Sequence, residues 1–218
     1  MATLAIDGPA GAGKSTVARA VAGALGWRYV DSGAMYRAVA LAVLQRGLDV
    51  TAEDEVGKLA ESVEVDVDGN RVRLDGVDVS EPIRGADVTR VVSAVAANPR
   101  VRAALLDKQR ALASFGDVVM EGRDIGTAVV PDADTKVYLT ATVDERARRR
   151  VLELGLTEDD ATIAAMAETL SDRDTADATR DVSPLARAAD AHFVDTTGLT
   201  LDEVVARICK IVGETSDG

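Results

Sequence analysis

The chain has 218 residues, of which 47% are hydrophobic and 28% are charged. This apolar content can build one substantial core, but the length is too short for two large domains, so we expect one unit with insertions. With 37 acidic and 25 basic side chains the formal net charge is -12, which disfavours general nucleic-acid binding through a basic surface. A small anion can still bind a local cluster of arginines and backbone amides, because charges act at short range in salt.

The residue types that build disulfides, zinc sites and membrane spans are scarce. Cys209 is the only cysteine and His192 the only histidine, which excludes an internal disulfide and a His/Cys zinc cluster. No apolar run approaches the roughly 18 residues of a membrane span, and residues 1–7 resemble a strand without a basic signal-peptide leader. We therefore expect a cytoplasmic protein that binds neither membranes nor nucleic acid.

Short apolar runs alternate with helical patterns along the chain. Strands that are joined by helical crossovers predict a parallel sheet with helices on both faces. Five core strands are expected, at residues 3–6, 27–30, 118–120, 136–139 and 192–194. The fold class that follows is α/β with a five-stranded parallel sheet.

Two Thr-x-x-Glu sequences have the spacing of a capping box, which marks the start of a helix. They are Thr142 with Glu145 and Thr200 with Glu203. The helix after Thr200 is expected to bury one apolar face, and Cys209 lies near that face, so we expect a core residue and not a nucleophile. The apolar face consists of Val204, Val205, Ile208 and Val212.

One segment that interrupts the alternation of strands and helices has a hairpin pattern. Valine recurs at every second position from residue 63 to residue 67, the turn residues Asp68-Gly69-Asn70 follow, and the alternation resumes at Val72 and Leu74. This pattern predicts a β-hairpin in a small inserted lobe.

A second interruption is rich in Asp, Thr and Ala and has helical spacing through Ile163, Met166 and Leu170, which predicts a short mobile polar flap. The tail of residues 213–218 is expected to fray. We therefore expect one domain with three parts: a core of residues 1–38, 113–152 and 187–218, an inserted lobe of about 39–112, and a flap, or lid, of about 153–186.

The pattern G-x-x-x-x-G-K-[ST] occurs at Gly8-Pro9-Ala10-Gly11-Ala12-Gly13-Lys14-Ser15, directly after an apolar strand and before a helical stretch. Such a P-loop turns backbone N–H groups towards phosphate oxygens, and the helix N-terminus adds about half a positive charge. Lys14 is expected to reach the β- and γ-phosphates, and the Ser15 hydroxyl to ligate Mg²⁺. Thr16 extends the hydroxyl-bearing start of the helix. The motif predicts a nucleoside triphosphate site.

A P-loop alone does not identify the phosphoryl acceptor, because switches, transporters and kinases share it. After the second strand, Ser32, Tyr36 and Arg37 bring a hydroxyl, an aromatic ring and a guanidinium near one helix N-terminus, with Ser32 as a candidate N-cap. An aromatic face beside an arginine suits a base attached to a phosphate. The alternative is an N-cap followed by a surface arginine.

The sequence Glu121-Gly122-Arg123-Asp124 follows the third expected strand, at the sheet edge where ligands bind in open parallel sheets. Gly122 is expected to let the backbone bend. Arg123 can clamp a phosphate, and Asp124 can accept hydrogen bonds, for example from the exocyclic amine of cytosine. A plain surface ion pair is the alternative.

Further arginines form two clusters in this acidic chain. Arg146, Arg149 and Arg150 share one helical face by their spacing, and they can line a triphosphate site or solvate the helix. Arg173 and Arg180 belong to the second cluster, within the expected lid.

These motifs together resemble the bacterial type of cytidylate (CMP) kinase, among the nucleoside monophosphate kinases, over nearly the whole chain. The resemblance rests on motifs that occur in the family's order: Ile6-Asp7-Gly8-Pro9, Asp31-Ser32-Gly33 with Tyr36-Arg37, Gly122-Arg123-Asp124, and Asp177 with Arg180 before Ser183-Pro184-Leu185. The hairpin insert looks like the family's enlarged monophosphate lobe. The resemblance implies a P-loop NTPase-type fold with this insert and a short lid.

The resemblance also implies how CMP is recognised. Ser93, Arg102 and Asp124 would recognise cytosine, and Tyr36 and Ser32 would wall the site. From the neighbouring sequence alone, Ser93 can equally be a serine on a helix face. Arg102 can equally be a solvated arginine.

The resemblance implies further roles for residues around the phosphates. Asp177 would hold the sugar, while Arg37, Arg123 and Arg180 would hold the acceptor phosphate. Arg173 would act from the lid during closure. ATP would bind residues 8–16, and Arg149 is the candidate for an additional ATP contact.

The expected activity is ATP + (d)CMP = ADP + (d)CDP, by a monomer that uses Mg²⁺ with ATP in pyrimidine nucleotide metabolism. The acceptor phosphate is already anionic near neutral pH, so no general base is needed, and we expect His192 to be a strand-edge residue.

Two other classes stay open from the residues. A P-loop switch or ATPase would bind a nucleotide and signal by conformation, but no Asn-Lys-x-Asp motif is present. A kinase of a small hydroxyl acid such as shikimate, with Asp31 or Asp124 as base, would have less use for several acceptor-phosphate arginines.

Overall fold

The computed structural model describes residues 1–216, which form eight strands and eight α-helices. The strands are β1 (Thr3–Asp7), β2 (Arg28–Asp31), β3 (Val65–Asp68), β4 (Arg71–Leu74), β5 (Val77–Asp78), β6 (Val118–Gly122), β7 (Thr135–Thr140) and β8 (His192–Asp195). The helices are α1 (Lys14–Leu25), α2 (Ser32–Gln45), α3 (Glu53–Ser62), α4 (Ala86–Ala97), α5 (Pro99–Ala113), α6 (Val143–Glu153), α7 (Asp160–Thr179) and α8 (Leu201–Ser216). A 3₁₀ turn (Pro82–Arg84) and a π-helical turn (Ile125–Val129) lie between them.

The central sheet has five parallel strands in the order β2-β6-β1-β7-β8, which confirms the predicted α/β class. Strand β1 lies in the middle, where Ala5 is in register with Met120 of β6 and Lys136 of β7. Leu4, Ala5 and Ile6 have no exposed surface, as expected for a strand that is covered on both faces. His192 begins the edge strand β8 and is exposed, as predicted.

Helices cover both faces of this sheet. On one face α1 and α8 pack over Leu4, Ile6 and Leu139, and Cys209 lies at the edge of that cluster as a packing residue. On the other face Val118 and Met120 pack with residues of α5 and the π-helical turn. Because all five strands are parallel, their carboxyl ends lie at one edge of the sheet.

The inserted segment forms a second, antiparallel sheet in the order β3-β4-β5. The predicted hairpin is confirmed: Val67 pairs with Val72 across a turn that contains Gly69-Asn70. The sequence pattern missed the third strand, because β5 has only two residues, both exposed. Helix α2 joins the two sheets, since its buried residues belong to the same apolar cluster as those of β3 and β4.

The predicted flap contains a long helix. The spacing of Ile163, Met166 and Leu170 belongs to α7, which runs for 20 residues and packs against α6. The predicted fraying from residue 213 is wrong as far as Ser216, because α8 continues there and the Thr215 hydroxyl donates to the Ile211 carbonyl. Residues 217–218 of that tail lie outside the described residues.

Both predicted capping boxes mark helix starts. The Thr142 hydroxyl accepts a hydrogen bond from the Glu145 amide at 3.3 Å. Thr200 and Glu203 cap reciprocally, with the Thr200 amide donating to the Glu203 carboxylate at 2.8 Å and the Glu203 amide donating to the Thr200 hydroxyl at 3.4 Å. Across residues 1–216, no helix has the length and apolar character needed to cross a bilayer.

Candidate nucleotide-binding cleft

A cleft of about 770 Å³ opens at the carboxyl edge of the central sheet, between the inserted lobe and α7. It collects most of the predicted site residues: Ala10, Gly11, Ala12, Gly13, Lys14, Ser15, Thr16, Ser32, Tyr36, Arg37, Ser93, Arg102, Arg123, Asp124, Arg149, Arg173, Asp177 and Arg180. Gly8 and Pro9 lie at the base of the P-loop and outside this lining. The cleft therefore brings together residues from both halves of the chain.

The base of the P-loop is packed against the sheet. A Cβ atom on Gly8 would lie 1.9 Å from the carbonyl oxygen of Leu139 on β7, and the φ angle of Gly8 is +154°. Only glycine fits such a close approach. Gly13 has a left-handed φ of 83° at the N-cap position of α1, so the helix begins at Lys14 with its amides directed along the loop.

Lys14 is buried at the end of the loop. Its Nζ donates to the Pro9 carbonyl at 2.7 Å, which folds the side chain back over the loop. Burial and, after it, the positive charge of Arg123 lower the pKa of Lys14. Burial raises the pKa of the Glu121 carboxyl, which accepts a hydrogen bond from the Tyr29 hydroxyl at 2.6 Å and attracts Lys14 electrostatically. No sequence pattern predicted a role for Glu121.

Asp7 occupies the buried position directly before the P-loop. Its two carboxylate oxygens accept hydrogen bonds from the Ile125 and Gly126 amides, both at 2.8 Å. Burial outweighs these hydrogen bonds and raises the pKa of Asp7 to about 6. Asp7 therefore ties the start of the P-loop to the turn that follows Asp124.

Asp124 is the centre of a buried ionic cluster. Its Oδ2 accepts a short hydrogen bond from Arg102, and its Oδ1 lies 3.5 Å from Arg180 Nη2. The Arg102 guanidinium lies over the Tyr36 ring, 5.3 Å from its centroid. Arg102 is 6% exposed, so the alternative of a solvated arginine is wrong. Ser93, on α4, lines the same part of the cleft.

The end of β6 packs closely on the start of α2. The Ser32 hydroxyl donates to the Glu121 carbonyl at 2.6 Å, and a Cβ on Gly122 would lie 2.6 Å from the Ser32 oxygen. Gly122 is the last residue of β6, and its lack of a side chain permits this contact. The prediction that Ser32 caps α2 is wrong. Asp31 is the N-cap residue, and its carboxylate accepts a hydrogen bond from the Ala34 amide at 3.0 Å.

Several arginines that have few carboxylate partners line the side of the cleft opposite the P-loop. Arg123 pairs with Asp177 at 2.9 Å, and Arg37 donates to the Ile83 carbonyl at 3.1 Å and to the Thr89 hydroxyl at 3.0 Å. Burial, followed by repulsion from Arg123, lowers the pKa of Arg173 to about 10. These guanidinium groups form an arginine cluster, which also includes Arg84 and Arg150.

The arginines of α6 separate into two groups, although their spacing predicts one face. Arg149 and Arg150 line the cleft, and Arg149 donates to the Thr196 hydroxyl at 2.9 Å. Arg146 is buried outside that lining and pairs with Asp174 of α7 at 2.5 Å. The reason is that Arg146 lies where α6 meets both the P-loop and α7, so adjacent turns of one helix face different surroundings.

The P-loop end of the cleft fits the phosphates of a nucleoside triphosphate with its magnesium ion. Pro9 has no amide hydrogen and the Ala10 amide donates to Asp174, so the amides of residues 11–16 are the ones that remain for phosphate oxygens. Ser15 contributes one hydroxyl at the helix start. Within the described residues no cluster of three or more His, Cys, Asp or Glu side chains can hold a metal ion by itself. A site with one serine hydroxyl suits Mg²⁺, because this ion retains several waters and binds through substrate phosphates.

A P-loop at one end of the cleft and an arginine cluster at the other define a P-loop phosphotransferase site. The family model for cytidylate kinase matches residues 4–214, and the chain belongs to this family. A cytidylate kinase of Desulfitobacterium hafniense is 49% identical over 214 residues, covering 97% of this chain and 92% of that protein.

A second relative and one solved structure agree in length with this chain. A cytidylate kinase of Limosilactobacillus fermentum is 46% identical over 218 residues, covering 97% of this chain and 96% of the relative. The crystal structure of an uncharacterized protein from Eubacterium ventriosum has a TM-score of 0.54 at 12% identity, covering 98% and 99% of the two chains. The latter likeness concerns the fold alone.

Replacing Asp7 with asparagine should remove a pH dependence of stability. The pKa of Asp7 is about 6 in the folded protein and 3.8 ordinarily, so the folded state binds the proton more tightly. The stability from this group is present below about pH 4 and is lost as the pH rises through about 6. Between these limits, the free energy of unfolding of the wild type relative to Asp7→Asn should fall by about 3 kcal/mol.

Urea unfolding at a series of pH values measures this difference. Asp132→Asn, which removes an exposed carboxylate, is the matched control for the loss of one charge. Parallel pH profiles for the wild type and Asp7→Asn would contradict the assigned pKa.

Proposed function

We propose that this chain transfers the γ-phosphoryl group of ATP to the phosphate of CMP and of dCMP, producing ADP with CDP or dCDP. One observation carries the proposal: the arginine cluster faces the P-loop across a single cleft, with the buried Asp124–Arg102 pair beside it. Membership of the cytidylate kinase family supports CMP as the acceptor. A switch protein or a kinase of a hydroxyl acid is not favoured by this family membership.

The donor side consists of the P-loop and its helix. The free amides of residues 11–16 and the Lys14 ammonium would hold the phosphates, and Gly8 and Pro9 would shape the loop beneath them. Arg149 would contact ATP from α6. Mg²⁺, when bound with ATP, would neutralise phosphate charge, and the Ser15 hydroxyl is the protein group available to it.

The acceptor phosphate would be held by Arg37, Arg123 and Arg180. Arg123 is paired with Asp177 in the structure, so an incoming phosphate and sugar would share this pair. Asp177 would accept hydrogen bonds from the sugar while Arg123 turns a donor towards the phosphate. Arg173, with its lowered pKa and adjacent guanidinium groups, would stabilise the negative charge of the transferring group from α7.

Cytosine would be read by Asp124, Arg102 and Ser93. Asp124 has acceptor capacity beyond its two arginine bonds, because an ionised carboxylate offers about four lone-pair sites. Cytosine presents an amine donor where uracil presents a carbonyl acceptor, so a fixed carboxylate favours cytosine. Tyr36 and Ser32 would wall the base site from α2.

The reaction needs positioning and charge neutralisation more than proton transfer. An oxygen of the CMP phosphate attacks the γ-phosphorus, the new P–O bond forms, and the bond to the β-phosphate oxygen breaks with ADP leaving. The attacking oxygen is already ionised, so no side chain has to remove a proton. The cleft residues act by alignment, which is worth several orders of magnitude in such reactions.

We also propose that the core, insert and lid divide as expected from the sequence, with residues 39–112 binding the monophosphate and residues 153–186 closing over the site. Ser93 on α4 of the insert and Arg173 on α7 of the lid line one cleft, which supports closure from both sides. We further propose a monomer that acts in the cytoplasm. Sedimentation with and without the two substrates tests the oligomeric state.

Coupled ADP release with Mg-ATP and a panel of acceptors tests the proposed function. The panel contains CMP, dCMP, UMP, AMP, GMP, dTMP and shikimate, and chromatography identifies the products. CMP and dCMP should be phosphorylated, giving CDP and dCDP. ADP release that is independent of every monophosphate, or greatest with shikimate, would contradict the proposal.

Lys14→Ala should lower kcat by at least about 100-fold, because the ammonium group neutralises charge that develops between the β- and γ-phosphates. Circular dichroism should show the fold unchanged, and Lys210→Ala, at an exposed position of α8, is the matched control. Near-normal turnover of folded Lys14→Ala would overturn the assignment of the P-loop as the donor site.

Asp124→Ala should lower the ratio of kcat/KM for CMP to that for UMP by about 10- to 100-fold, the discrimination expected from a well-placed pair of base contacts. Because removal of Asp124 leaves Arg102 and Arg180 without their buried partner, Asp124→Asn is a second variant that preserves the shape. An unchanged CMP preference in both folded variants would show that another group reads the base.

A further inference from the structure

Residue Ala10 of the P-loop is held from both sides by one partly buried ion pair. Its amide donates to Asp174 Oδ1 at 2.9 Å, and its carbonyl accepts from Arg146 Nη1 at 2.8 Å. The same Arg146 nitrogen donates to Asp174 Oδ2 at 2.5 Å, which closes a ring of three hydrogen bonds. We call these three residues the Ala10 clamp.

The clamp joins three segments that are distant in sequence. Arg146 belongs to α6 and is itself fixed by a bond from Nε to the Ala141 carbonyl at 3.1 Å. Asp174 belongs to α7, 164 residues after Ala10. Around the ring, Ala10 packs in an apolar cluster with Ala147 of α6 and Leu170 of α7. Charge-assisted hydrogen bonds that are largely shielded from solvent are short and directional.

The clamp residue on α7 lies beside residues that face the cleft. Arg173 precedes Asp174 in the helix, and Asp177, one turn later, pairs with Arg123 at the end of β6. Within residues 1–216, the Nε atom of Arg173 is buried without a hydrogen-bond partner. The Arg173 guanidinium therefore has no hydrogen bond through Nε that would fix its distance from the P-loop, whereas the carboxylate of the next residue, Asp174, is bonded to the loop.

We propose that Asp174 is a positioning residue for phosphoryl transfer: through the Ala10 clamp it sets α7, and with it Arg173, at a fixed distance from the P-loop. This inference rests on the proposed function, since Arg173 matters here only as a group that meets the transferring phosphate. Asp174 itself touches neither substrate, because its carboxylate is engaged with Ala10 and Arg146. Its loss should reduce the rate of transfer more than the binding of CMP.

Asp174→Asn tests the clamp with little change of shape. The asparagine oxygen can still accept the Ala10 amide, but its NH₂ group then meets the Arg146 donor, so the ring cannot close. We expect kcat to fall at least about 10-fold, since small misplacements of aligned groups cost up to about 100-fold. KM for CMP should stay within about twofold. Asp172→Asn removes an exposed carboxylate from the same helix and should leave kcat unchanged.

Hydrogen exchange of the Ala10 amide, measured by NMR on the wild type and both variants, supplies a readout that does not depend on activity. Exchange should be faster in Asp174→Asn than in the wild type and unchanged in Asp172→Asn. If Asp174→Asn does not fold, Arg146→Lys, which keeps the charge but not the two-sided contact, replaces it in both measurements.

The outcomes separate the clamp from the proposed function. If the wild type transfers no phosphoryl group to CMP, the proposed function fails, and unchanged exchange at Ala10 in the variant would in addition overturn the clamp. If the wild type is active and the variant keeps its kcat, the positioning role of Asp174 is wrong. A fall in kcat with equal rises in KM for both substrates would indicate general loosening and would also contradict the proposal.

Discussion

Several arginine side chains repel one another in a single cleft, and buried carboxylates hold them together. Asp124 faces Arg102 and Arg180, and Asp177 faces Arg123. Burial and the neighbouring positive charges leave the remaining guanidinium groups unbalanced, as the lowered pKa of Arg173 shows. In the proposed function, phosphate would supply the missing negative charge, and a chain of net charge -12 can hold such a local anion site because charges act at short range in salt. The other features of the cleft keep these groups in place.

The parallel sheet provides that support. Asp7 ends β1 in register with Gly122 of β6, so the P-loop and the segment of Arg123 and Asp124 leave the sheet side by side. The Asp7 carboxylate accepts a hydrogen bond from the turn that follows Asp124, and the Asp174 carboxylate accepts one from the P-loop itself. The proposed donor and acceptor sites are thereby connected through buried and partly buried hydrogen bonds, which is the kind of pre-organisation that phosphoryl transfer requires.

Local patterns in the sequence predicted the parts of this arrangement that depend on neighbouring residues. The P-loop, the five strands and the capping boxes each occupy a short window, and the structure contains them. The clamp was not predictable, because Ala10 and Asp174 are 164 residues apart, and the partners Asp7 and Ile125 are 118 apart. Helical spacing grouped Arg146 with Arg149, but tertiary packing of α6 buried the first and left the second at the cleft. The two-residue strand β5 is too short for a periodic signal.

The most direct test is a crystal structure of the chain with CMP and a non-hydrolysable ATP analogue. We predict that the CMP phosphate accepts hydrogen bonds from Arg37, Arg123 and Arg180, with the cytosine amine on Asp124 and the analogue's phosphates on residues 11–16. A CMP phosphate bound away from these arginines, or a base that does not contact Asp124, would contradict the account.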